Sequence, residues 1–314
     1  MGGIWPRRSA GRRPRQVWAD WKAADEAGDT ARAEELAREA IEVAPHTHRA
    51  WFDAALLSKA RLDWPTASER NQRALSLYSK RDALEFGGDK PAAWNLGIAA
   101  TALGDWETAR RAWRAYGIDA IEAGSSPIDE DFGLVPIRLN TDRPSLPHQI
   151  APQYGEPEVV WCWRRSPAHA VISSVPLPES GHRFGDVVLH DGEPKGSRML
   201  DDREVSVFDE LDRLEESGTP TFQAQIAGVG HDDLQALTDL LGPVGLGSDE
   251  WSRMRLLCAD CSHGSPHHDH THPPADPDVT VLGLAGPEDQ LTECLDQWQA
   301  SRPHAEIQDL TLLW

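Results

Sequence analysis

Alanines at positions 33 and 40 recur at 67 and 74, a displacement of 34 residues, and no other feature of this 314-residue chain restricts its fold so tightly. Small residues repeated at that spacing let paired helices approach closely, so the period points to a stack of short helical hairpins. The first unit runs from about Pro14 to Pro45, with Gly28 at the turn between its two helices. The second carries Trp51, Ala67, Ala74 and Leu75. The third, AAWNLGIAATALGDWETARRAW, places Leu96, Gly97, Gly104, Ala109 and Trp113, with large residues to fill the gaps that small ones leave. An insertion within SKRDALEFGGDKP precedes it.

In period and in the placement of those residues, segment 14–122 resembles the tetratricopeptide repeat family. The resemblance implies a short superhelix whose concave surface binds a segment of another protein, and scaffolding rather than catalysis. Some members grip a carboxy-terminus through lysine, arginine and asparagine on the inner helices. Asn95 is the clear candidate here, and one residue does not carry that clamp over.

Past SSPIDEDFG the helical period stops, and a domain boundary is expected near 123–130. Short runs rich in valine and aromatics follow: EVVWCWR, HAVISSV, RFGDVVLH, GSRML and EVSVF, separated by turn residues. They predict five strands of a small barrel or sandwich over 128–216. Within them, His182, Arg183, Asp186, His190 and Asp191 mix acids, bases and a cation, which invites a catalytic reading. No spacing among them matches a nucleophile motif or a ligand set, and charged residues at the ends of a hairpin look the same.

From Thr219 a topology can be predicted. Phe222, Ala224 and Ile226 alternate with Gln223 and Gln225 as on a half-buried strand, and HDDLQALTDLL follows with Leu234, Leu237 and Leu241 on one helical face. WSRMRLLC and VTVLGLAG read as second and third strands. Leu291, Cys294, Leu295 and Trp298 form the stripe of a second helix, and AEIQDLTLLW closes the chain as a strand. The order β-α-β-β-α-β is that of a ferredoxin-like α+β domain over 219–314, an architecture shared by many functions.

The second and third strands should form a hairpin, whose loop ordinarily holds about two to five residues. Here about twenty intervene, including CADCSHGSPHHDHTH at 258–272. Cys258 and Cys261 have the C-x-x-C spacing at which two thiolates converge on one ion, and the five following histidines supply the remaining donors. A tetrahedral zinc site on Cys258, Cys261, His267 and His270 fits, with metal binding supplying the free energy that burial cannot. Asp260 and Asp269 are candidate acceptors for the ligating imidazoles. Alternatives are a histidine-rich tract that binds metals loosely, or one that exchanges them. A redox pair is disfavoured, since a strand rather than a helix start adjoins the cysteines.

The remaining two cysteines, Cys162 and Cys294, read as small core residues, and four in a chain of this size argue against a disulfide framework. A net charge of −20 disfavours nucleic acid and anionic lipid and favours a protein partner with a basic face. Arginines at 7, 8, 12 and 13, with Arg15 just beyond, make the first thirteen residues a basic arm, expected to be disordered. With no long apolar run, no membrane association and a cytoplasmic location are expected. The chain thus reads as multidomain: an all-α tetratricopeptide-like array, a small β-rich domain, and a ferredoxin-like domain with a metal loop. Its expected function is that of a protein-binding adaptor with a zinc-stabilised C-terminal domain. The alternatives are a metal-handling protein, a metal-dependent enzyme, and an immunity-type binder of a basic partner.

Overall fold

The computed structural model describes residues 14–141, 155–253 and 279–314. The described residues divide into two compact units, meeting in sequence between Ile128 and Asp129.

The first unit is helical. Six of its helices pair as hairpins: α1 (Pro14–Glu26) with α2 (Thr30–Val43), α3 (His48–Ala60) with α4 (Trp64–Ser76), and α6 (Pro91–Ala102) with α7 (Trp106–Tyr116). The three turns are built alike. Asp29, Asp63 and Asp105 each cap the second helix, their side chains accepting from Arg32 N at 3.0 Å, Thr66 N at 3.2 Å and Thr108 N at 3.1 Å. Each cap satisfies an amide the first helical turn would otherwise leave orphaned. The preceding residue is left-handed every time: Gly28 at φ 69°, Leu62 at 55° and Gly104 at 66°. Only the middle hairpin holds this conformation without a glycine.

The alanines of the 34-residue period lie where the helices meet, with Ala33, Ala67, Ala74 and Ala109 fully enclosed. In the third hairpin Gly97 faces the indole of the fully buried Trp113 so closely that a β-carbon would stand 2.5 Å from it. The insertion forms a short helix, α5 (Lys80–Glu85), opened by a reciprocal cap between Ser79 and Asp82.

The second unit contains two sheets. Strands β1 (Leu134–Leu139), β2 (Glu158–Arg164), β3 (His169–Ile172), β4 (Val187–His190) and β6 (Arg203–Glu215) are joined in that order by antiparallel pairing. A short parallel pairing of β1 with β6, Ile137 opposite Phe208, closes them into a five-stranded barrel. β5 (Gly196–Leu200) extends the other end of β6 as a hairpin. Val135, Ile137 and Leu139 point inward with Val160, Cys162, Ala170, Ile172, Val188 and Phe208. β1 is the one barrel strand that alternation does not pick out. Pro136 interrupts its pattern, and its residues from Val135 on are buried whichever way they point.

The second sheet has strand order β10-β7-β9-β8, from β7 (Thr221–Ala227), β8 (Gly247–Glu250), β9 (Val279–Ala285) and β10 (Glu306–Leu312). Helices α8 (His231–Leu241) and α9 (Glu288–Ala300) cover one face, where Leu237, Leu241, Leu291, Leu295 and Trp298 meet Phe222, Ala224, Ile226, Leu282 and Leu284. The expected second strand at Trp251–Cys258 is described only over Trp251–Arg253, which is not strand; residues 254–258 lie outside the described residues. Gly247–Glu250 pairs with β9, and Trp251–Arg253 forms a 3₁₀ turn. The reason is packing: Trp251 folds across β9 onto Gly283, where a β-carbon would lie 2.2 Å from the indole, and donates to Val175 O at 3.0 Å. Val175, Trp251 and Ala285 thereby form a small core between the sheet's other face and the barrel.

Candidate functional site

The helical unit contains a groove of about 500 Å³ between α1, α2, α3 and the segment 77–85. Its apolar lining includes Trp18 and Trp21 of α1, Ala37, Ala40 and Val43 of α2, and Leu77. Trp18 is 40% exposed, unusual for so large an apolar ring. A polar network organises the rim. Asp53 accepts from Arg49 Nε at 2.8 Å and from Trp18 Nε1 at 3.1 Å, while Arg49 Nη1 reaches Glu85 Oε1 at 2.9 Å. The Arg49 guanidinium also lies over the Trp18 ring, 5.5 Å from its centre. Burial pushes the Asp53 carboxyl above its usual range, and the hydrogen bonds from Arg49 and Trp18 only partly oppose that shift. Arg15 and Arg81 add cationic side chains to the lining.

The wall contributed by α3 is held by His48, which is 1% exposed. Its Nδ1 lies 2.9 Å from Ala74 O, and its Nε2 has no partner among the described residues. The ring stacks on Phe52 and meets Tyr78 and Phe86 edge-on, which fastens the insertion to α3. Sequence reasoning finds the repeat but misses this groove, because part of its rim, Ser79, Arg81, Asp82 and Glu85, comes from the insertion between the second and third units. Asn95 stands away from it, 8% exposed, accepting from Lys59 Nζ at 3.0 Å.

In the second unit, His182, Asp186 and His190 are all fully enclosed, and each is committed to a different partner. His182 Nε2 lies 2.7 Å from Glu210 Oε1, and its Nδ1 3.0 Å from Ser180 O. Asp186 accepts from Ser217 N at 2.8 Å, Arg183 N at 3.0 Å and Arg213 Nη1 at 3.3 Å. His190 Nδ1 lies 2.7 Å from Asp191 O, and burial drives its pKa down to about 4, so the ring is neutral at physiological pH. Arg183 rests on the Trp314 ring. His182, Asp186 and His190 brace turns and present no exposed face to a substrate. Asn140 strengthens the same bracing. Left-handed at φ 51°, it gives its backbone N to Glu210 Oε2 at 2.8 Å and its side chain to Ser180 O and Glu156 O.

Two carboxylates that no sequence pattern marks lie between the barrel and the second sheet. Glu158 accepts from Leu177 N at 3.0 Å, and Asp249 accepts from Val175 N. Burial raises Glu158 to about 8, aided by the neighbouring charge of Asp249, and raises Asp249 to about 6.

The proposed zinc ligands Cys258, Cys261, His267 and His270 lie outside the described residues, as does the basic arm. Among the described residues no cluster of three His, Cys, Asp or Glu side chains is arranged to hold a metal ion. None of the described helices is long and apolar enough to cross a membrane. No protein-family model matches the chain, and no curated protein matches it in sequence. What the structure defines is a multidomain protein, helical in its first unit and β-rich in its second.

Proposed function

We propose that this chain is a protein-binding adaptor whose helical unit is a tetratricopeptide-like array and whose groove receives a segment of the partner. One observation carries the reading: a 500 Å³ groove with an exposed indole and an ordered rim of opposite charges, on three hairpins that repeat the same turn. Such a surface combines an apolar anchor site with polar groups that fix orientation, as peptide-binding surfaces do. The paired charges of the rim suit a partner segment carrying both an apolar side chain and a cation, and the overall acidity favours a basic partner at long range. The location that goes with this reading is cytoplasmic.

The C-terminal sheet belongs to the same proposal as a ferredoxin-like module, supported by its strand order and by two helices on one face. Zinc on Cys258, Cys261, His267 and His270 stabilises it, supported by the C-x-x-C spacing and the surplus of histidines. Two experiments test the proposal. Affinity capture with the full chain and with its Trp18→Ala, Arg49→Ala double variant should show a partner retained by the first and lost by the second; identical partner lists would remove the groove from function. Metal analysis should find about one zinc per chain, lost together with thermal stability in Cys258→Ser and Cys261→Ser variants. Metal-free protein whose stability ignores chelators would end the zinc proposal.

A further inference from the structure

A second groove of the helical unit, about 450 Å³, runs between α7 and the loop at 122–127 and is lined by Arg110, Arg111 and Arg114. Glu107 is the one carboxylate among its described lining residues. In a chain of net charge −20, three clustered guanidinium groups against one carboxylate are a local reversal of sign.

Arg110 makes that reversal more than a surface accident. It is 6% exposed, yet among the described residues every hydrogen bond it makes goes to a neutral acceptor: Ser126 O at 3.0 Å, Glu122 O at 3.1 Å, Pro127 O at 2.9 Å and Ser126 Oγ at 3.4 Å. A buried cation is ordinarily paired with an anion, because desolvating a charge without a counter-charge is costly. Four bonds also leave one of its five N–H donors unused. Arg111, the next residue, and Arg114, one helical turn further along, are both exposed and line the same groove. Among the described residues Arg111 bonds Thr108 Oγ1 alone, at 3.0 Å, and Arg114 has no hydrogen-bond or ion-pair partner. Opposite them the wall is Gly124, where no side chain narrows the approach, and Ser125.

We infer that this groove binds a phosphate-class oxyanion. Arg111 and Arg114 supply the charge-assisted hydrogen bonds, and Arg110 supplies a fixed positive charge from the groove wall. The site is separate from the groove of α1–α3, so either can fail without the other.

The test is calorimetric titration of the full chain with inorganic phosphate at low ionic strength and neutral pH. Alongside it run the Arg111→Ala, Arg114→Ala double variant and the corresponding lysine variant, with far-UV circular dichroism confirming that all three fold alike. Both arginines are exposed, so folding should be unaffected. Saturable binding that weakens with added salt is expected, falling at least ten-fold (about 1.4 kcal/mol) in the alanine variant and less in the lysine variant. Phosphoserine should bind as phosphate does, and free glutamate more weakly. Absence of saturable binding by the wild type, equal affinity in wild type and alanine variant, or glutamate binding as well as phosphate would each overturn the assignment.

Discussion

Replacing Gly97 by alanine sets helix propensity against packing at one position whose geometry is known. In an exposed helix the change would stabilise by about 1 kcal/mol, because glycine loses more backbone freedom on folding. Here the added β-carbon would stand 2.5 Å from two atoms of the Trp113 ring and 2.6 Å from a third. Ordinary van der Waals contact begins at 3.4 Å, so the ring must retreat by about 0.9 Å (3.4 − 2.5). It has little room to do so. Trp113 is fully enclosed and its ring meets that of Trp94 edge-on, 5.1 Å between centres. Overpacking of this kind costs about 1–3 kcal/mol or more, and a displacement approaching 1 Å against a large rigid ring belongs at the upper end. The net expectation is a loss of about 1–2 kcal/mol, read from urea unfolding followed by far-UV circular dichroism. A companion variant locates the cause: with Trp113→Leu already present, the added methyl group should cost much less, giving a coupling of about 1 kcal/mol or more. A Gly97→Ala protein as stable as the wild type, or additivity with Trp113→Leu, would refute the packing argument and leave propensity in control.

Two further outcomes follow from single residues. Glu158 and Asp249 are carboxylates raised above their unfolded values, so between about pH 4 and pH 8 the folded chain holds more protons than the unfolded one. Their contribution is therefore most favourable below about pH 4 and is lost as the pH rises through 6 and then 8. Glu158→Gln should flatten the fall in thermal stability between pH 6 and 8 that the native chain shows, and an unchanged profile would refute it. At the middle hairpin, Leu62 occupies a left-handed position that costs a side-chain-bearing residue about 1–2 kcal/mol, and the two sister turns use glycine there. Leu62→Gly should raise the unfolding free energy by about 0.5–1 kcal/mol, the rest going to the added freedom of the unfolded chain; lower stability would mean that burial of the leucine side chain outweighs the strain.

Much of the local structure is legible in residue order because it depends on neighbours a few positions apart. The 34-residue alanine period marks where helices touch, the glycine-aspartate pairs mark where they turn, and the alternation in Phe222, Ala224 and Ile226 marks a half-buried strand. Legibility fails where distant residues decide. β1 hides behind Pro136 because its burial comes from neighbours on β2 and β6. β8 ends at Glu250, where Trp251 leaves the strand to contact Gly283 and Val175, the latter 76 positions away. His182, Asp186 and His190 look chemically active in sequence and prove to be enclosed braces, since only the folded barrel supplies Glu210, Ser217 and Arg213 as their surroundings.

The sites divide in the same way. The cysteine and histidine spacing at 258–272 is a property of order along the chain and stands or falls on metal content. The groove under Trp18 and the uncompensated Arg110 have no signature in order at all. By itself the sequence determined the repeats, the succession of helical and β-rich regions, and the candidate ligands, all governed by periodicity and short-range spacing. Only the tertiary structure decided which polar side chains are spent on internal hydrogen bonds and which remain for a partner, because burial and electrostatics depend on every element packed around a group.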